Sequence, residues 1–263
     1  MKTAKRKQVL KALEIETWVP RGAESVVAEV TAAPVEEEKR SRGRPRLNPV
    51  AETVVAAKPA ERPSKATAVV RTDYVAPTDW EGLRAAVKNC ERCKLCPTRT
   101  QTVFGTGNEQ ASLMVVGEGP GADEDASGEP FVGRAGKLLD EMLKSIGRSR
   151  KDNVFIANVV KCRPPGNRDP EADEAEACRP FLEQQIKLVK PKMILALGRI
   201  AAQRLLQTDE PLSKLRGPIH EYGPDKTPLF ITYHPAYLMR SPREKAKSWD
   251  DLKKVYRYLE KPE

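Results

Sequence analysis

Residues 112–121 read SLMVVGEGPG, an apolar run that breaks abruptly into glycine, glutamate and proline. A short continuous apolar stretch bounded by turn residues is the pattern of a strand buried on both faces. The pattern recurs as NVFIANVV at 153–160, KMILAL at 192–197 and PLFITY at 228–233. Helical stretches lie between these runs. Over 136–146, helical spacing brings Leu138, Leu139, Met142, Leu143 and Ile146 to one face. Residues 171–190 and 199–206 read as two further helices, 247–259 as a closing one, and 80–88 as one that leads into a group of cysteines. Strands alternating with helices predict an α/β domain over 76–263, three layers deep (α/β/α), around a central four-stranded, mainly parallel sheet.

Open parallel sheets bind ligands in the loops beyond the carboxyl ends of their strands. Those loops begin at Gly117-Glu118-Gly119-Pro120-Gly121, at Asn158 to Arg163, at Gly198-Arg199 and at His234-Pro235. Glycines, an amide, a cysteine and one of only two histidines therefore fall at one rim, and the chemistry is expected there. His220, the other histidine, has no such context.

The composition narrows the function classes. The 263 residues carry a net charge of +9, with 32% charged and 39% hydrophobic residues, and the mean hydropathy is -0.57. No apolar run approaches the roughly 20 residues that span a bilayer, and the basic start MKTAKRK lacks the apolar segment of a secretion signal. The expectation is a soluble, intracellular (cytoplasmic) protein without membrane contact, acting as a monomer. Residues 1–72 hold 15 Lys and Arg against 9 Asp and Glu, so most of the basic excess is N-terminal. That balance suits a polyanion such as nucleic acid.

Residues 1–75 are rich in Ala, Val, Pro, Glu and Lys, with prolines breaking any period, and are expected to form a disordered basic tail; residues 5–16 allow a short helix. Within the tail, SRGRPR at 41–46 places Arg42, Arg44 and Arg46 around a Gly-Arg-Pro core. This resembles the AT-hook, an extended segment that lays arginines into a narrow A·T minor groove.

The five cysteines are Cys90, Cys93, Cys96, Cys162 and Cys178. An odd number in an intracellular chain favours metal binding over disulfides. Cys90-x-x-Cys93, extended by Cys96, supplies two ligands from one turn, and the two distant cysteines complete a shell. By spacing alone zinc and a [4Fe–4S] cluster fit equally, and either Cys93 or Cys96 could be the second ligand.

Taken together, Cys90-x-x-Cys93, VFGTGN (103–108), GEGPG (117–121), GEPFVGRAGKLL (128–139), NVVKCRPPGNR (158–168), Cys178 and HPAYL (234–238) resemble the type-4, iron–sulfur uracil-DNA glycosylases. The resemblance runs from about Trp80 to Leu259. It implies removal of uracil from single- or double-stranded DNA by hydrolysis of the N-glycosidic bond, leaving an abasic site for base excision repair. It also implies a [4Fe–4S] cluster on Cys90, Cys93, Cys162 and Cys178, with Cys96 spare and the cluster structural. Phe131 would stack on the everted base. Asn158 would accept from uracil N3–H and donate to O4, a pattern that rejects cytosine because mismatched buried polar groups stay unpaired. His234 would donate to O2 as negative charge develops on the leaving ring. Glu118 would position water opposite the oxocarbenium-like sugar. Gly117 and Gly119, with Glu118, would offer backbone amides to the base, and Glu124 would stand near C5. Residues 135–137 read as a helix start.

Contacts to DNA are expected from Lys161, Arg163 and Arg168 around the proline-rich loop and from Arg240 and Arg243 after HPAYL, with Leu238 or Met239 filling the gap left by the everted nucleotide. A covalent uracil-trapping relative would need a basic, histidine-bearing insertion after the second strand, which Cys162-Arg163-Pro164-Pro165-Gly166 lacks. A DNA-binding scaffold with structural zinc, or an electron-transfer protein, would leave the rim residues without a role.

Overall fold

The computed structural model describes residues 74–260; the AT-hook-like segment and the short helix allowed at 5–16 lie outside them. The four strands expected from the apolar runs form the middle of the sheet: β2 (Leu113–Gly117), β3 (Val154–Asn158), β4 (Met193–Leu197) and β6 (Thr227–Thr232). They are parallel, in the order β3-β2-β4-β6. The sheet is wider than expected by two short edge strands. β1 (Thr106–Gly107) pairs antiparallel with β3, and β5 (His220–Tyr222) pairs antiparallel with β6. Both are partly exposed and lack a long apolar run, which is how an edge strand differs from a central one in sequence.

The pleat sorts each central strand between two apolar layers. Met114, Val116, Phe155, Ala157, Ile194 and Ala196 face a cluster built on α1 (Trp80–Lys88), α4 (Ala172–Val189) and α5 (Gly198–Leu206). Leu113, Val115, Val154, Ile156, Met193 and Leu195 face the other way, onto α3 (Arg134–Lys144) and α8 (Lys245–Leu259). This is the three-layer arrangement that the alternating elements predict. Two short helices, α2 (Ala122–Ser127) and α7 (Pro235–Arg240), follow β2 and β6, and α6 (Leu212–Leu215) precedes β5. No helix among the described residues is long and apolar enough to cross a membrane.

Helix ends follow from capping. Asp79 accepts from the Gly82 amide to start α1, and at α4 the Glu174 carboxylate reaches back to the Glu171 amide at 2.7 Å. The register Gly117↔Asn158 brings the ends of β2 and β3 level, so the loops that leave them begin side by side.

Candidate active site

A cavity of about 400 Å3 opens at the carboxyl rim of the sheet, and Glu118, Phe131, Asn158 and His234 all line it. The residues singled out from four separate loops thus meet in one place. A broader groove of about 910 Å3 lies between the ends of α4 and α5 and the β5–β6 turn, but none of these residues lines it.

Phe131 is held by a turn built for it. The residue is 6% exposed and its φ is 56°, a left-handed conformation that an aromatic residue adopts only under constraint. Arg150 supplies part of that constraint, donating to the carbonyls of Pro130 at 3.0 Å and Phe131 at 2.9 Å while its Nε meets Asp140. From the other side, Glu124 Oε1 accepts from the amides of Val132 and Gly133, and its Oε2 accepts from Gly121 N. The Glu124 carboxylate therefore lines the cavity while tying the GEGPG loop to the Phe131 turn. Glycine is needed at two contacts. A Cβ on Gly136 would lie 1.7 Å from the Phe131 carbonyl oxygen, and one on Gly117 would lie 2.4 Å from Asn158 Oδ1 and 2.6 Å from the Phe131 ring.

Asn158 closes β3 and is 2% exposed. Its Oδ1 has no hydrogen-bond partner. A buried acceptor left unpaired is unfavourable, and here it belongs to a side chain that lines a cavity. Next to it, the amides of Val159 and Val160 donate to the carbonyls of Gly117 at 2.9 Å and Glu118 at 3.2 Å, locking the two loops together.

His234 caps α7, with Nδ1 accepting from the Ala236 amide at 3.2 Å. That bond places the imidazole proton on Nε2. The ring centroid lies 5.5 Å from that of Phe131. Burial, and secondarily the charge of Arg240, pull the His234 pKa down to about 4, so the ring is a neutral donor at physiological pH.

Glu118 behaves in the opposite sense. Burial, then the charge of Asp169 and a hydrogen bond to it, push the Glu118 pKa up to about 7, opposed by Arg199. Arg199 Nη2 binds Asp169 Oδ2 at 2.5 Å. The sequence placed Arg199 at the rim without a role, and Asp169 was not singled out. Arg150 and Tyr237 were missed as well. Tyr237 lines the cavity, is 37% exposed and stacks on Tyr233 at 5.2 Å.

The expected DNA contacts divide. Arg240 is exposed beside the cavity. Arg163 Nε donates to Asn167. Arg168 is engaged by both oxygens of Glu174, at 2.8 and 2.6 Å. Two expectations are overturned. Lys161 is 1% exposed, its ammonium donating to the Asn158 carbonyl at 2.8 Å and to Gln185 Oε1 at 2.6 Å, so it cannot meet a phosphate. Leu238 is 1% exposed and packed in the core beneath α7, so it is no wedge in this conformation.

A second, small cavity is lined by Cys90, Cys93, Cys162 and Cys178; Cys96 begins the neighbouring 3-10 turn Cys96–Thr98. Lys161 N donates to Cys178 Sγ at 3.3 Å and Arg99 Nη1 to Cys162 Sγ at 3.2 Å. Burial pushes Cys93 up to about 11 and Cys178 up to about 12, and raises Cys162 as well. Thiols so costly to ionise alone become thiolates when a metal centre supplies positive charge. Among the described residues, no three His, Cys, Asp or Glu side chains are already gathered closely enough to hold a single metal ion. The donor set itself, four thiols around one space with N–H groups directed at sulfur, fits an iron–sulfur group.

The uracil DNA glycosylase superfamily model matches residues 104–260. The chain is 44% identical to the type-4 uracil-DNA glycosylase of Archaeoglobus fulgidus over 64% of its own length and 87% of the relative's. It is 45% identical to the Saccharolobus solfataricus enzyme of that name, over 64% and 81%, and 42% identical to the Thermotoga maritima one, over 66% and 92%. The family match takes in the loops that carry Glu118, Phe131, Asn158 and His234, and the chain belongs to the uracil-DNA glycosylase superfamily, among its type-4 members.

Proposed function

We propose that the protein is a monofunctional uracil-DNA glycosylase that hydrolyses the N-glycosidic bond of deoxyuridine in DNA, releasing uracil and leaving an abasic site. The observation that carries this reading is the unpaired Oδ1 of Asn158, buried in the same cavity as Phe131 and His234. The N3–H of uracil satisfies that acceptor, whereas cytosine sets an unprotonated N3 against it and an amine against the Asn158 amide.

In this reading the everted base enters the cavity and stacks on Phe131, with its imide edge on Asn158. The Gly117–Gly119 backbone and the Nε2–H of His234 face the O2 side. As the C1′–N1 bond breaks, charge builds on the departing ring, and a neutral imidazole already oriented by Ala236 stabilises it without reorganisation. Glu118, when ionised, positions the water and balances the positive sugar. Glu124 keeps the Phe131 turn closed against the GEGPG loop.

Cys90, Cys93, Cys162 and Cys178 would hold a [4Fe–4S] cluster that crosslinks the segment after α1, the loop after β3, and α4. Arg163, Arg168 and Arg240 border the DNA path, on single or double strands. Arg42, Arg44 and Arg46 add salt-sensitive residence on A·T-rich DNA from the tail. The enzyme acts as a monomer inside the cell.

The test is cleavage of a uracil-containing oligonucleotide after alkaline treatment, using metal-replete protein on both strand states. Product from uracil and none from cytosine or thymine is expected; no product on either strand state overturns the reading. Visible absorbance together with bound iron distinguishes the cluster from colourless zinc.

A further inference from the structure

Lys161, expected from the sequence to meet DNA, is the most deeply placed basic residue among the described residues. It is 1% exposed and lies in the wall of the cysteine cavity. Its ammonium donates to the Asn158 carbonyl at 2.8 Å and to Gln185 Oε1 at 2.6 Å. Gln185 is itself fully buried and fixed by donating to the Phe104 carbonyl at 2.9 Å. Among the described residues, no carboxylate forms an ion pair with Lys161. A buried ammonium that lacks an anionic partner is strongly disfavoured, and the cavity that Lys161 helps to line is the one bounded by Cys90, Cys93, Cys162 and Cys178.

The backbone around it is equally committed. Lys161 N donates to Cys178 Sγ at 3.3 Å. Its carbonyl accepts from Val103 N at 2.7 Å. One residue further on is Cys162, and three residues back is Asn158, whose carbonyl the same side chain grips. Lys161 thus touches the thiol site through its amide and the uracil-recognition residue through its ammonium.

We propose that Lys161 is a positioning residue that couples the two sites: it holds Asn158 in register for the base and serves as the buried counter-cation of the four-cysteine centre. The inference rests on the reading that those cysteines hold an iron–sulfur cluster, whose four thiolates give the centre a net negative charge. It accounts for a buried lysine with no carboxylate that contacts both Asn158 and Cys178.

The experiment compares the iron-loaded full chain with Lys161→Met, which keeps length but removes charge and donors, and Lys161→Gln, which keeps a donor without the charge. Removing a cation beside the centre favours its oxidised form, so both variants are expected to move the midpoint potential to more negative values in film voltammetry. Lys161→Met is also expected to lose roughly ten-fold or more in kcat/KM on uracil, and Lys161→Gln to recover much of that loss. Potentials unchanged in both variants, or uracil kcat/KM within about two-fold of the parent in Lys161→Met, would overturn the proposal; the two-fold margin is small beside the ten- to hundred-fold typical of losing such a partner. Should Lys161→Met fail to fold, Lys161→Gln decides alone through the potential. Failure of the underlying reading is separate: the parent chain would then take up no iron and show no visible band.

Discussion

Two parallel strands of this sheet end in a buried polar residue, and the two ends are used in opposite ways. Thr232 closes β6 at 0% exposure, and its hydroxyl bonds Ser248 Oγ at 2.8 Å and Asp251 Oδ2 at 2.9 Å. Arg216 donates to the same carboxylate oxygen at 2.6 Å. Asn158 closes β3 at 2% exposure and leaves Oδ1 with no partner. Burial and location are matched, yet one group is saturated and the other is kept free beside a cavity. A saturated cluster stabilises the fold, whereas an unsaturated acceptor costs stability until a ligand completes it.

Replacing Asn158 at one strand end and the Asp251 partner of Thr232 at the other breaks the comparison most directly. Asn158→Ala is expected to lower uracil excision by about a hundred-fold or more, with thermal stability unchanged or slightly raised because an unpaired acceptor is removed. Asp251→Ala is expected to do the reverse, costing roughly 2 kcal/mol by taking the carboxylate from Arg216 and one of two partners from Thr232, while excision by the folded fraction persists. Denaturant unfolding and single-turnover kinetics on both variants check the pair. Equal stability losses would mean that Asn158 is only another structural polar residue.

His234 sharpens the catalytic side of the contrast. His234→Ala is expected to lose about a hundred-fold in rate with the fold retained. Because burial keeps the imidazole neutral down to about pH 4, the parent's rate should show no inflection attributable to it between pH 5 and 8. A histidine-dependent limb near pH 6.5 in that range would mean that the ring is charged in the working enzyme.

What the sequence disclosed follows from which signals are local. The central strands are continuous apolar runs, and the rim rule then placed Gly117, Asn158 and His234 together without coordinates. The edge strands β1 and β5 escaped because two or three half-exposed residues carry no period. Lys161 was misread because charge in a loop ordinarily means solvent, and only the fold shows that Gln185 and the Asn158 carbonyl wait for it inside. Leu238 was misread for the opposite reason, its motif neighbours suggesting DNA while α7 turns it into the core. Leu238→Ala should therefore cost about 3 kcal/mol of stability rather than act mainly on DNA affinity, a difference that unfolding and filter-binding measurements separate. Asp169 stayed hidden because its importance lies wholly in facing Glu118.

That pair gives the smallest and most discriminating test. The folded pKa of Glu118 is raised to about 7, chiefly by burial and then by Asp169, so the carboxyl is protonated at pH 6 and ionised at pH 8. If the ionised form positions water, excision rises with pH through about 7, by at most about ten-fold per unit, and Glu118→Gln flattens the rise. Asp169→Asn removes a charge that opposes ionisation and should move the midpoint to lower pH. Arg199→Ala removes the cation that favours ionisation and should move it to higher pH. Opposite displacements from two neighbours that leave Phe131, Asn158 and His234 untouched would identify Glu118 as the titrating group, whereas a common direction, or none, would place the inflection elsewhere.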